Sequence, residues 1–195
     1  MDLILASASP RRYELLTQIG VSARVVPADI DETPLKDEPA ADYVLRLAEQ
    51  KALAVFTGLN AKVACLGSDT SVVKDGKILG KPTDFDDARQ MLLSLSGSAH
   101  EVLTAVALAT EQGVDSCLVS TQVWFRNISE SEILAYWASN EPRDKAGAYG
   151  IQGFGAVFVD RIEGSYSAVV GLPLAETSKL LKAAGVPIWQ LPIND

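Results

Sequence analysis

Ser7-Ala8-Ser9-Pro10-Arg11-Arg12 sets two hydroxyls and two guanidinium groups where a short apolar run gives way to a helix. Ser9 suits the cap position and Pro10 the first helical position. The arginines do not suit a plain helix start, because two cations there oppose the helix dipole, where an acidic residue would contribute about 0.3–1 kcal/mol. Backbone N–H groups and guanidinium forks converge well on phosphate. The segment therefore reads as an anion site with Ser7, Ser9, Arg11 and Arg12 as its contacts.

Asp69 follows the apolar run Val63-Ala64-Cys65-Leu66 and is bracketed by Gly67, Ser68 and Thr70. A carboxylate at the C-terminal end of a strand sits where α/β proteins place ligands and catalytic groups. The plainer alternative is a turn cap. Asp29-x-Asp31-Glu32 is either a solvated acidic face or, with Asp69, a holder of Mg²⁺ or Mn²⁺. Lys81, framed by Gly80 and Pro82, is a surface lysine or a phosphate contact. Lys51 lies four residues beyond Leu47 on an otherwise apolar helix face, and either snorkels or meets phosphate. In Asp144–Gly153 three glycines cost backbone entropy, yet the Ala, Tyr, Ile and Gln between them are not linker residues. That loop, with Lys145 and Gln152, reads as a close approach to ligand. It is neither a Walker A loop nor a dinucleotide GxGxxG.

These residues need elements to hold them. Strands are predicted at Leu3–Ala6, Ala23–Val26 and Val63–Gly67, and helices at Arg11–Ile19, Ala40–Phe56 and Asp84–Leu95. Asp75-Gly76 between Ser71–Lys74 and Lys77–Leu79 is the strongest hairpin signal. His100–Thr110 and Cys117–Arg126 read as an antiparallel pair. Ser129-x-x-Glu132 is a capping box for a helix to about Ser139. Ala156–Val159 and Tyr166–Val170 read as strands, and Pro173 opens a last helix that ends at Gly185. Early alternation of helix and strand, then antiparallel pairing, predicts an α/β protein with a mixed sheet and flanking helices.

The chain has 195 residues, 48% of them hydrophobic, and a formal net charge of −8. The composition is that of a globular chain with one sizeable core, and the length suggests one domain with two lobes. The acidic balance argues against a nucleic-acid polymer as partner, because non-specific binding needs a basic face. Cys65 and Cys117 are too few for a disulfide framework and read as reduced core thiols. No membrane span or signal peptide is evident, so a cytoplasmic protein is expected. His100 is the only histidine, which argues against Ser-His-Asp or Cys-His catalysis and leaves a hard cation on carboxylates as the plausible metal.

In order along the chain, Leu5–Arg12, Leu66–Thr70, Gly80-Lys81-Pro82, Leu95-Ser96-Gly97 and Lys145–Gly153 resemble the Maf family of nucleoside triphosphate pyrophosphatases. The resemblance covers Leu3 to about Leu181. It implies a two-lobed α/β fold related to inosine triphosphate pyrophosphatases, one Maf-like domain over residues 1–195 with a cleft between lobes. It implies cleavage of a nucleoside triphosphate to the monophosphate and pyrophosphate with a divalent cation. Asp69 matches the catalytic carboxylate, and of the acidic loop Glu32 is taken as the residue that would hold the cation with it. Arg12, Thr70 and Gln152 match positions that set nucleotide choice. Thr70 after Asp69 resembles the subgroup acting on dTTP and UTP, a house-cleaning role. Ser68 departs from the Ala of many members. Homodimers are common in the family. The family's association with septum formation implies an alternative, a regulatory nucleotide-binding module.

Overall fold

Leu3, Ile4 and Leu5 form a continuous apolar run, which suits a strand buried on both faces. In the computed structural model, which describes residues 1–58 and 63–190, β1 (Asp2–Leu5) pairs in parallel with β2 (Arg24–Val25) and β3 (Val63–Lys74). The α1 helix (Pro10–Gln18) joins β1 to β2, and α2 (Ala40–Thr57) precedes β3. Further on lie β4 (Lys77–Leu79), α3 (Phe85–Leu95), β5 (Ala99–Thr110), β6 (Gly113–Phe125) and α4 (Glu130–Ala138). Three short 3₁₀ turns follow, then β7 (Val159–Glu163), α5 (Tyr166–Val170) and α6 (Leu174–Ala183). Among the described residues the sheet has seven strands in the order β2-β1-β3-β5-β6-β7, with β4 on β3. The fold is thus α/β with a mixed sheet and helices around it, as the element pattern predicts. No helix among the described residues is long and apolar enough to cross a membrane.

The chain forms two compact units. The first comprises Met1–Asp69, Thr104–Val119 and the segment that begins at Gly171; the second comprises Thr70–Leu103 and Ser120–Val170. Leu5, Leu16, Val44, Leu47 and Leu66 are fully buried in the first. In the second, α3 and α4 contribute Leu92, Leu95 and Ile133 to a core that includes Val102, Val123, Phe125 and Tyr149.

The Asp75-Gly76 hairpin forms as predicted, both residues at positive φ (49° and 76°), as a two-residue turn of the primed type requires. Ser129 and Glu132 form the expected capping box. Four expectations are corrected. β3 does not end at Gly67 but runs to Lys74, so Asp69 stands inside a strand rather than beyond its end. Gly67 is there for close approach: a Cβ would fall 2.2 Å from the Ala48 carbonyl oxygen of α2. Tyr166–Val170 is helix, because the Ser165 hydroxyl accepts the Ala168 N–H and overrides an aromatic and β-branched composition. Ala156–Phe158 belongs to a 3₁₀ turn, with the strand starting at Val159. Cys65 is buried, but Cys117 is only half-buried.

His100 lies in the second unit's core, with Nε2 2.8 Å from the Tyr149 hydroxyl and its ring edge-on to Phe125. Its Nδ1 is buried without a partner. Burial, and then the charge of Lys74, push its pKa from 6.5 down to about 4. A lowered histidine means that between those pH values the unfolded chain binds more protons than the folded one. Stability therefore falls as pH drops from about 6.5 to 4, by about 3 kcal/mol at 1.36 kcal/mol per unit. Urea denaturation across this range should show that slope, and His100→Gln should flatten it. An unchanged slope in the variant would assign the window to carboxylates.

Candidate active site

Ser7 follows β1, and its buried hydroxyl accepts two hydrogen bonds, from the Ser9 N–H at 3.2 Å and from Arg12 Nη1 at 3.0 Å. Ser9 occupies the cap position of α1, but its side chain makes no capping bond. The helix start is tied down by Ser7 instead. Arg12 donates a further bond from Nε to the Gly171 carbonyl at 2.9 Å. Its planar fork is thus held at two acceptors, a geometry lysine does not offer. Burial pushes the Arg12 guanidinium below its ordinary pKa, opposed by the charge of Asp69, and the group stays protonated. Arg11, the neighbouring cation, is half-buried.

Lys51 explains why a lysine stands on the apolar face of α2. It is buried, and its Nζ lies 2.7 Å from Asp69 Oδ1 and 2.8 Å from Glu32 Oε1. Two carboxylates from distant segments therefore reach one ammonium. Asp69 is buried, whereas the Glu32 side chain is 55% exposed. The Gly67 approach allows this meeting, since it lets α2 pack hard against the strand that carries Asp69. Ser68, the departure from the family pattern, is fully buried, and its hydroxyl lies 2.8 Å from the Ala105 carbonyl and 3.0 Å from that of Gly171. It has one proton for two acceptors. The Gly171 oxygen thus stands beside both Ser68 and the Arg12 fork.

The remaining candidates belong to the second unit. Thr70 is half-buried on β3, while Lys81 and Gln152 are exposed. The Gly147 N–H donates to the Gly80 carbonyl at 3.0 Å, which places the Lys81 loop against the glycine-punctuated loop. Lys145 Nζ donates to the Glu141 carbonyl and to Asp144 Oδ1. Gly147 has a positive φ of 66°, and a Cβ there would meet Val72 at 2.9 Å. The sequence reading missed Glu141. Its carboxylate accepts from the Tyr136 hydroxyl at 2.8 Å, the Gly155 N–H at 3.0 Å and the Phe154 N–H at 2.7 Å. Burial opposes its charge, but these donors hold the carboxyl below the usual range. A Cβ on Gly153 would fall 2.1 Å from Glu141 Oε2, so the glycine makes room for that carboxylate. The signal was an acidic residue entering a glycine-rich loop, whose unpaired N–H groups need an acceptor.

Within the first unit the arrangement can do two kinds of chemistry. A half-buried Arg12 and a buried Lys51 offer positive charge to an anion, and Asp69 offers a carboxylate that can accept a proton. Among the described residues no cluster of three metal-ligating side chains occurs. Two carboxylates within the span of one cation do suit Mg²⁺ or Mn²⁺, which take one or two carboxylates and fill the rest with water and phosphate oxygens.

A family model described as Maf-like protein matches residues 2–184. A dTTP/UTP pyrophosphatase of Hahella chejuensis is 55% identical over 96% of this chain and 94% of its own. Proteins of the same name from Vibrio cholerae and Saccharophagus degradans are 55% and 53% identical, over 92% and 97% of this chain and 96% and 91% of theirs. A solved nucleoside-triphosphatase / dITP/XTP pyrophosphatase from Mycobacterium abscessus is 18% identical and aligns over 94% of each chain with a TM-score of 0.45.

Proposed function

The chain belongs to the Maf-like family, and from that premise we propose that it hydrolyses dTTP and UTP to the nucleoside monophosphate and pyrophosphate. The observation that carries this reading is the buried Lys51 ammonium shared by Asp69 and Glu32 in the unit that also fixes the Arg12 fork. The names of relatives at 53–55% identity support the choice of substrate.

A triphosphate is strongly anionic, so its cleavage needs positioning and charge stabilisation more than a protein nucleophile. Arg12 and Lys51 neutralise phosphate oxygens. Two of the three Lys51 donors meet carboxylates, which leaves one for phosphate. Ser7, Ser9 and Arg11 complete the cradle at the start of α1. Asp69 accepts the proton of the water that attacks the α-phosphorus. The new bond joins the water oxygen to that phosphorus, the α–β bridge breaks, and pyrophosphate carries away the electron pair. Asp69 and Glu32 would hold a divalent cation, Mg²⁺ or Mn²⁺, which when bound polarises phosphate oxygens and offsets their charge. Lys81 and Lys145 serve the phosphates, and Thr70 and Gln152 read the hydrogen-bonding edge that uracil and thymine share. A cytoplasmic location and self-association as a homodimer belong to the same proposal.

The test is product identity. Incubation with dTTP and Mg²⁺ should give dTMP and pyrophosphate in equal amounts. Orthophosphate with dTDP would overturn the reading in favour of a stepwise phosphatase. Tight dTTP binding without turnover would overturn it in favour of the regulatory module.

A further inference from the structure

Glu32 presents a physical problem. It stands in the stretch from Asp29 to Pro39, which has no regular secondary structure and is mostly exposed. A carboxylate on such a segment samples many positions, and fixing it costs entropy. A ligand-holding carboxylate needs its backbone tethered as well as its side chain.

One turn of α2 supplies that tether. The Tyr43 hydroxyl donates to the Glu32 carbonyl oxygen at 3.0 Å. Arg46 Nη2 donates to the carbonyl of the next residue, Thr33, at 3.3 Å. The Arg46 fork also grips Glu38 at both oxygens, at 2.6 and 2.7 Å. Glu38 in turn accepts the Leu35 N–H at 2.9 Å, and Asp31 accepts the Thr33 N–H at 2.9 Å. The loop is therefore pinned on α2 while Lys51, farther along that helix, takes the Glu32 carboxylate. The Arg46 guanidinium lies 5.5 Å from the centre of the Tyr43 ring, so the two side chains support each other. Burial, with the charges of Asp69 and Glu32, pushes the Tyr43 hydroxyl above its ordinary pKa, and it keeps its proton. The Arg46 hydrogen bond draws Glu38 down to about 2, so that pair stays ionised throughout the neutral range.

We propose that Tyr43 and Arg46 are positioning residues that set Glu32 for divalent-cation binding. The proposal rests on the reading that Glu32 holds the cation, and neither side chain touches substrate. Bidentate pairing is the kind of contact that fixes orientation as well as attracting charge. With the loop pinned, the cation does not have to order it. Loosening the pin should therefore weaken the cation's affinity while leaving the chemistry of the loaded site intact.

The experiment titrates Mn²⁺ into the full-length protein and follows loss of the free-ion paramagnetic resonance signal. Glu32→Gln should weaken Mn²⁺ binding about 10-fold or more. Tyr43→Phe, which removes one hydroxyl, should weaken it about 3-fold, and Arg46→Gln about 10-fold. Arg46→Lys should resemble Arg46→Gln, because it keeps the charge but not the fork. In all three positioning variants kcat should recover at saturating Mn²⁺, which general loosening of the fold would not allow. If Glu32→Gln weakens binding while Tyr43→Phe and Arg46→Gln bind as the parent does, the positioning role is overturned. If Glu32→Gln itself binds as the parent does, the reading beneath is overturned and the proposal with it. Should Arg46→Gln fail to fold, Tyr43→Phe decides the matter.

Discussion

Asp69→Asn should lower kcat for dTTP about 10³-fold, within the range that a positioned general base contributes. The change is isosteric, so packing within β3 is kept and only the charge goes. The Lys51 ammonium retains Glu32 and can still donate to the Asn carbonyl. The stability cost should therefore stay at about 1–3 kcal/mol, below that of leaving a buried charge unpaired. Pyrophosphate release gives the rate, and urea denaturation shows that the variant is folded. Turnover within about 3-fold of the parent would remove Asp69 from the chemistry. Loss of turnover with full loss of folding would be answered by Asp69→Glu, which keeps the charge but displaces it. That variant should fold and remain slow.

Arg12→Lys should raise KM for dTTP about 30-fold, with a smaller fall in kcat. The substitution conserves charge, so it isolates geometry. Arg12 uses Nε and Nη1 on two acceptors that lie in different parts of the first unit, the Gly171 carbonyl and the Ser7 hydroxyl. A point-like ammonium cannot reproduce that fork and also face a phosphate. Steady-state kinetics over a wide dTTP range separates the two constants. An unchanged KM would mean that Arg12 supports the fold around Gly171 and does not meet substrate.

The sequence was most legible where local chemistry and global fold agree. Asp75-Gly76 demanded a primed turn and made one. The Leu3–Leu5 run demanded burial on both faces and became an inner parallel strand. It was misleading where a small or polar residue served a distant partner. Gly67-Ser68-Asp69 looks like a turn because glycine, serine and aspartate favour turns. Gly67 answers instead to the Ala48 carbonyl, and Ser68 to carbonyls of Ala105 within β5 and Gly171 just after α5, none of which spacing reveals. Ser9 kept the cap position but makes no capping bond, while its own N–H goes to the Ser7 hydroxyl. The ammonium shared by Asp69 and Glu32 could not be read either. Lys51 announced itself only as a cation on an apolar face, and its carboxylate partners come from elsewhere in the chain. Tyr43 and Arg46 gave still less signal, since both are ordinary residues for an amphipathic helix.

Gly67 has one more consequence. With no side chain at Gly67, α2 and β3 meet there main chain against main chain, and that close approach brings the roots of Lys51 and Asp69 near enough for their side chains to pair. The two buried groups are thus already paired with each other, and on the proposed function part of the ordering that catalysis requires is in place before a nucleotide arrives. On that reading, preorganisation begins with an absent methyl group.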